Sequence, residues 1–86
     1  EDNITREQLA AILYRYTRFK GTETTASGNL NIYSDAGSVS AWATEALSWA
    51  NGAGLVTGKN GNLLDPLGSA TRAEVATILM RLGAGN

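Results

Sequence analysis

Apolar residues recur with helical spacing in three stretches of the chain, and no stretch sustains the two-residue alternation of a strand. Leu9, Ile12, Leu13 and Tyr16 stand at i, i+3, i+4 and i+7, which predicts one apolar stripe along a first helix. Val75, Ile78, Leu79 and Leu82 repeat that spacing near the other end. Between them, Trp42, Ala46, Trp49, Ala50 and Ala53 mark one face of a middle helix over residues 41 to about 51, with Ala43 and Leu47 beside it. Its alanines let a neighbouring helix approach closely. Thr5 with Gln8, and Thr71 with Glu74, have the spacing of capping boxes, and Ser40 is the expected cap of the middle helix. Gly21 and Gly83 are placed to end the outer helices, and Gly52 and Gly54 to end the middle one. Residues 21–31 are rich in Gly, Thr and Ser and read as a linker. Residues 57–69 carry the single proline and several glycines, and predict an ordered loop pinned to the core by Leu63 and Leu64. The expected fold class is all-α: a small helical bundle of three main helices with a Gly-rich loop.

The outer helices are copies of each other. Thr5, Arg6, Ala10, Ile12, Leu13 and Arg15 match Thr71, Arg72, Ala76, Ile78, Leu79 and Arg81 in place, while Leu9 becomes Val75 and Gln8 becomes Glu74. A long segment precedes only the second copy. The chain thus reads as residues 1–20, the last half of one repeat, then the linker 21–31, then a complete repeat over residues 32–86.

Eighty-six residues suffice for one small domain with a thin core. The formal net charge is -1, with no basic run, which argues against nucleic acid and anionic membranes as main partners. Without any Cys or His, disulfides, thiolate or imidazole metal sites, and Cys–His or Ser–His catalysis are excluded. No apolar run approaches the ~20 residues of a membrane span. Asp35, Glu45, Asp65 and Glu74 are scattered, and no motif pairs two of them for acid–base work. Asn60, Gly61, Asn62 and Asp65 lack the ligand spacing and closing Glu of a calcium loop, so no metal is expected. The chain opens at Glu1 rather than Met and is read as a piece of a longer polypeptide.

One ordered series of residues resembles a known family. Tyr33-Ser34-Asp35, Trp42-Ala43, Ala46-Leu47, Ala50, Gly54-Leu55-Val56-Thr57-Gly58, Leu64-Asp65-Pro66 and Thr71-Arg72-Ala73-Glu74 are similar, in order and spacing, to the S-layer homology (SLH) motif. Leu64 and Ala70 stand where that motif usually has Phe and Ile. The resemblance implies an all-α module, tandem repeats in a pseudo-threefold bundle, and non-covalent anchoring of exported proteins to secondary cell-wall polysaccharide, commonly pyruvylated. It implies an extracellular location at the bacterial surface, no cofactor, no catalysis, and partners among further repeats in the parent chain or a second chain.

Six residues are candidate polysaccharide contacts. Arg72 and Arg6 each follow a cap threonine, where a cation opposes the helix dipole by ~0.3–1 kcal/mol. An anion held by the guanidinium and free backbone N–H groups accounts for that placement, as does pairing with a nearby acid. Ser34 and Asp35 suit sugar hydroxyls, or a turn cap. Trp42 suits a sugar face, or the core. Gly58 suits close backbone approach by a ligand, and Gly54 and Gly58 are both expected at positive φ. A second reading is a self-assembly module, possible as a homo-oligomer, that binds no sugar: the stripe of the first helix must be buried somewhere.

Overall fold

The computed structural model describes residues 4–21, 24–59 and 62–84. Helix α1 spans Arg6–Phe19, α2 spans Thr44–Gly52 and α3 spans Arg72–Ala84. Single 3-10 turns occupy Leu30–Ile32, Ala36–Ser38 and Ala41–Ala43. Among the described residues there are only isolated bridges, Thr5 with Ser69 and Lys59 with Leu63, and no strand. The fold is all-α, as the spacing predicts.

Both capping boxes form. Thr5 Oγ1 accepts from the Gln8 N–H at 3.1 Å, and Gln8 Oε1 accepts from the Thr5 N–H at 2.9 Å. Glu74 and Thr71 exchange the same pair at 3.0 and 2.9 Å. The remaining amides at the start of α1 are met by the long loop: the Arg6 N–H donates to Gly68 O at 2.9 Å and the Glu7 N–H to Pro66 O at 3.0 Å. The first turn of α1 therefore has no open donor among its first amides.

The core is one cluster. Leu9, Ala10 and Leu13 of α1 meet Leu47, Trp49 and Ala50 of α2, with Leu55, Val56, Leu64 and Ile78 closing it. Ala10 and Ala50 are fully buried, so α1 and α2 come together over small side chains. Each buried leucine contributes ~1.5–3 kcal/mol through the area it removes from water. Tyr14 stacks on Trp49 at a tilt, 5.5 Å between centroids, and its hydroxyl donates to Glu45 at 2.8 Å.

The structure corrects several details. The buried face of α1 is rotated from the predicted stripe: Leu9, Ala10, Leu13 and Thr17 are buried, whereas Ile12 and Tyr16 are half exposed. Spacing alone marks a wide apolar sector, and packing selects its centre. The middle helix begins at Thr44, because Ala41–Ala43 winds as a tighter 3-10 turn. That turn breaks the helical phase, so Trp42 is 62% exposed while Trp49 is 4% exposed. Gly83 lies within α3, and Leu63 is exposed where Leu64 is fully buried. Gly54 has φ +79, as expected, but Gly58 is not in that region. Gly58 is required by space: a Cβ there would stand 2.5 Å from the Tyr33 ring.

Candidate functional site

Two buried charged residues open α1, and each organises one segment of the complete repeat. Arg6 is 5% exposed and Glu7 is 2% exposed. Burying charges requires that they be paired and hydrogen-bonded, and both are. Arg6 Nε donates to Leu64 O at 2.8 Å, one terminal nitrogen to Thr57 O at 3.0 Å, and the other pairs with Glu74. Glu7 accepts the Ser40 N–H at 2.9 Å and the Ser40 hydroxyl at 2.6 Å. The start of the middle helical segment is thus capped from α1 by Glu7, and the Ser40 side chain makes no cap bond of its own.

Asp35 holds the same loop from the other side. Its two oxygens accept the Leu64 N–H at 2.9 Å and the Asp65 N–H at 2.8 Å. Partial burial by itself raises the Asp35 carboxyl. The bonds from Leu64 and Asp65, its own N–H and the charge of Arg6 outweigh that and hold it below the usual 3.8. Leu64 is therefore fixed at both backbone groups, N–H by Asp35 and carbonyl by Arg6. Asn62 and Asp65 flank it at φ 59 and 52, a conformation that Asn and Asp tolerate better than most residues. The Ser34 N–H donates to Asn62 O at 2.9 Å and tightens the same turn.

Above this framework lies a cleft of about 320 Å³. Arg6 and Glu74 form part of its lining, with Thr57, Gly58, Lys59 and Arg81 around them. Lys59 pairs with Asp65 at 2.9 Å, both about two-fifths exposed, and Arg81 donates to Gly54 O at 3.1 Å. The guanidinium of Arg6 has five N–H groups, three of them committed to Leu64, Thr57 and Glu74. Counting Asp65, which pairs with Lys59, three cations meet two carboxylates around this cleft, a net of one positive charge.

Of the six expected contacts, the structure brings Arg6 and Gly58 into this cleft and places the other four elsewhere. Arg72 is exposed at the start of α3, with no hydrogen bond or ion pair among the described residues. Asp35 and Ser34 serve the loop turn. Trp42 walls a different groove of about 610 Å³ between α1 and the middle segment, with Ile4, Gln8, Ile12 and Glu45. Asn60 and Gly61, weighed above as part of a calcium loop, lie outside the described residues; among those described, no group of acidic side chains could hold a metal. Lys59, Thr57 and Arg81 escaped the sequence reading. The match of Arg81 to Arg15 was visible, but nothing in spacing shows that Arg81 reaches the loop after α2.

The profile of the S-layer homology domain matches residues 32–76, and the chain belongs to that family of non-catalytic anchoring domains. Over 85 residues the chain is 38% identical to an amylopullulanase of Thermoanaerobacterium thermosulfurigenes, an alignment covering 94% of this chain and 4% of that protein. Over 81 residues it is 32% identical to exoglucanase XynX of Acetivibrio thermocellus, covering 94% of this chain and 8% of that protein. The chain thus spans less than a tenth of either relative's length. No solved structure matches it. Among the described residues, no helix is long and apolar enough to cross a membrane.

Proposed function

We propose that this chain anchors a larger polypeptide at the bacterial cell surface by holding an acidic cell-wall polysaccharide in the cleft over Arg6. The observation that carries this reading is the convergence of Arg6, Lys59 and Arg81 on one cleft walled by the Thr57–Gly58 backbone. Its chemistry suits a carboxylate on a sugar, such as a ketal-linked pyruvate, with backbone groups left for hydroxyls. Each charge-assisted bond of this kind contributes ~1.5–3 kcal/mol. Belonging to the S-layer homology family supports the reading, and so do two relatives whose names are those of polysaccharide-degrading enzymes.

The test is co-sedimentation with purified sacculi that retain their secondary polymer. Binding is expected to fall when the pyruvate is removed, and to fall about tenfold, or ~1.4 kcal/mol, for Lys59→Ala and for Arg81→Ala. Both side chains are exposed, so neither change threatens the fold. Equal sedimentation with polymer-free sacculi would sink the proposal. A larger loss from Arg72→Ala than from either cleft variant would move the site to the start of α3. A self-assembly role is the second reading, favoured by the exposure of Ile12, Tyr16 and Trp42 along and beside the other groove.

A further inference from the structure

The loop wall of the cleft over Arg6 is shaped in part by residues that do not line it. The chain leaves α2 through Gly54, at φ +79, and residues 55–59 then run along the cleft. Two of their carbonyls are taken by donors from elsewhere. Asn51, in the last turn of α2, donates from Nδ2 to Val56 O at 2.9 Å, and Arg6 donates to Thr57 O at 3.0 Å. A carbonyl can only accept, so the Val56 bond fixes which end of the Asn51 amide faces the loop. The other Nδ2 hydrogen goes to the Tyr33 hydroxyl at 2.9 Å. Both hydrogens of that nitrogen are thereby committed.

These bonds set the orientation of two successive peptide planes. In a trans peptide the carbonyl and the N–H point to opposite sides of the chain, and none of the described peptide bonds is cis. Turning the Val56 carbonyl to Asn51 therefore directs the Thr57 N–H away from Asn51. Turning the Thr57 carbonyl to Arg6 directs the Gly58 N–H away from Arg6. Among the described residues, no acceptor lies on either amide. Two groups that would repel an anion are occupied, and two that would attract one are left unpaired. Such a wall suits a ligand that accepts hydrogen bonds over one that donates them.

The Asn51 amide is itself braced on both sides. The Tyr33 ring that takes its hydrogen bond also packs on Gly58, where a Cβ would stand 2.5 Å away. On the far side Gly28 sits directly against the Asn51 side chain, leaving no room for a Cβ. Gly28 is fixed to α2: its N–H donates to Ser48 O at 2.8 Å and its carbonyl accepts from the Ser48 hydroxyl at 3.0 Å. We propose that Asn51 and Tyr33 are positioning residues for the cleft, acting as a pair: Tyr33 orients the Asn51 amide, and Asn51 turns the Val56 carbonyl out of the ligand's way. Neither side chain lines the cleft. The inference rests on the reading that this cleft holds the ligand.

The test is co-sedimentation with sacculi that retain their polymer, using the whole chain. Tyr33→Phe keeps the ring on Gly58 and removes only the hydroxyl; it is expected to weaken binding about fivefold, the size of one neutral hydrogen bond. Asn51→Asp keeps the shape and removes both donors, and should weaken it at least about tenfold. The double variant should bind as Asn51→Asp alone, because Tyr33 acts through Asn51. Gly28→Ala, remote from the cleft, should weaken binding by displacing the same amide. Wild-type binding by Tyr33→Phe and Asn51→Asp, while Lys59→Ala still weakens it, would overturn the inference, as would full additivity of the two losses. No effect from Lys59→Ala or Arg81→Ala would sink the cleft reading instead, and nuclear magnetic resonance of the free protein then decides the positioning. The Asn51 side-chain N–H groups are expected to exchange at least about tenfold slower than those of exposed Asn31, and to lose that protection in Tyr33→Phe. The Thr57 and Gly58 amide signals should shift in Asn51→Asp. Unprotected Asn51 protons, or unmoved Thr57 and Gly58 signals, would overturn it.

Discussion

Arg6 and Arg72 occupy the same place in the same motif and have opposite surroundings, so environment rather than identity sets what each does. Removing Arg6 strands the carbonyls of Leu64 and Thr57 and leaves Glu74 without its partner. Arg6→Ala is therefore expected to cost about 3 kcal/mol in chemical denaturation, a large share of the stability of so small a domain. Asp35 gives a pH signature. Its carboxyl is held below 3.8, so its contribution is fully present above that value and is lost as pH falls through the lower folded value. Unfolding free energies measured from pH 6 down to pH 2 should show this acid loss, and Asp35→Asn should flatten it while lowering stability at neutral pH. Part of this was legible in the sequence. That Arg6 and Asp35 are special follows from a cation at a helix start and a Ser-Asp turn; that their common target is the backbone of Leu64 does not, since 29 residues separate Asp35 from it and 58 separate Arg6.

At the scale of elements, local signals were reliable wherever the cause is local. Both capping boxes form because their partners lie three residues apart on the same turn. Thr71→Ala should therefore cost ~1 kcal/mol of stability, read from the shift in urea midpoint. The middle helix was placed correctly but started early, because Ala41–Ala43 winds as a 3-10 turn ahead of it, and Ser40 is held by Glu7 of α1 rather than by a cap bond of its own. The buried face of α1 is likewise set by what packs on it, Leu47, Trp49 and Ala50 of α2 among them. Thr17 was outside the predicted stripe, yet it is buried, with its hydroxyl unpartnered among the described residues. Replacing that hydroxyl by a methyl removes an uncompensated polar group, so Thr17→Val is expected to raise the melting temperature or leave it unchanged.

Two of the clefts among the described residues differ in their chemistry. The one over Arg6 is cationic and walled by loop backbone; the one beside Trp42 is larger and carries apolar side chains in Ile4, Ile12 and Trp42. If polymer occupies the first, Trp42 should remain as open to acrylamide quenching in the complex as in the free protein. Loss of quenching at Trp42 would place the polymer in the second cleft instead. The wall-anchoring reading thus depends on a site assembled from both pieces of the chain: Arg6 comes from the half repeat, Thr57, Gly58 and Lys59 from the loop after α2, and Arg81 from α3.

The sequence by itself determined the all-α class, the helix caps, the repeated helix and the family motif, because each rests on residues a few positions apart or on a direct match between copies. Only the tertiary structure decided which of two equivalent arginines is buried, which tryptophan joins the core and where the cations converge. Those outcomes depend on what packs against each helix copy. Two helices that share a motif but not their surroundings cannot be assigned their burial from that motif alone.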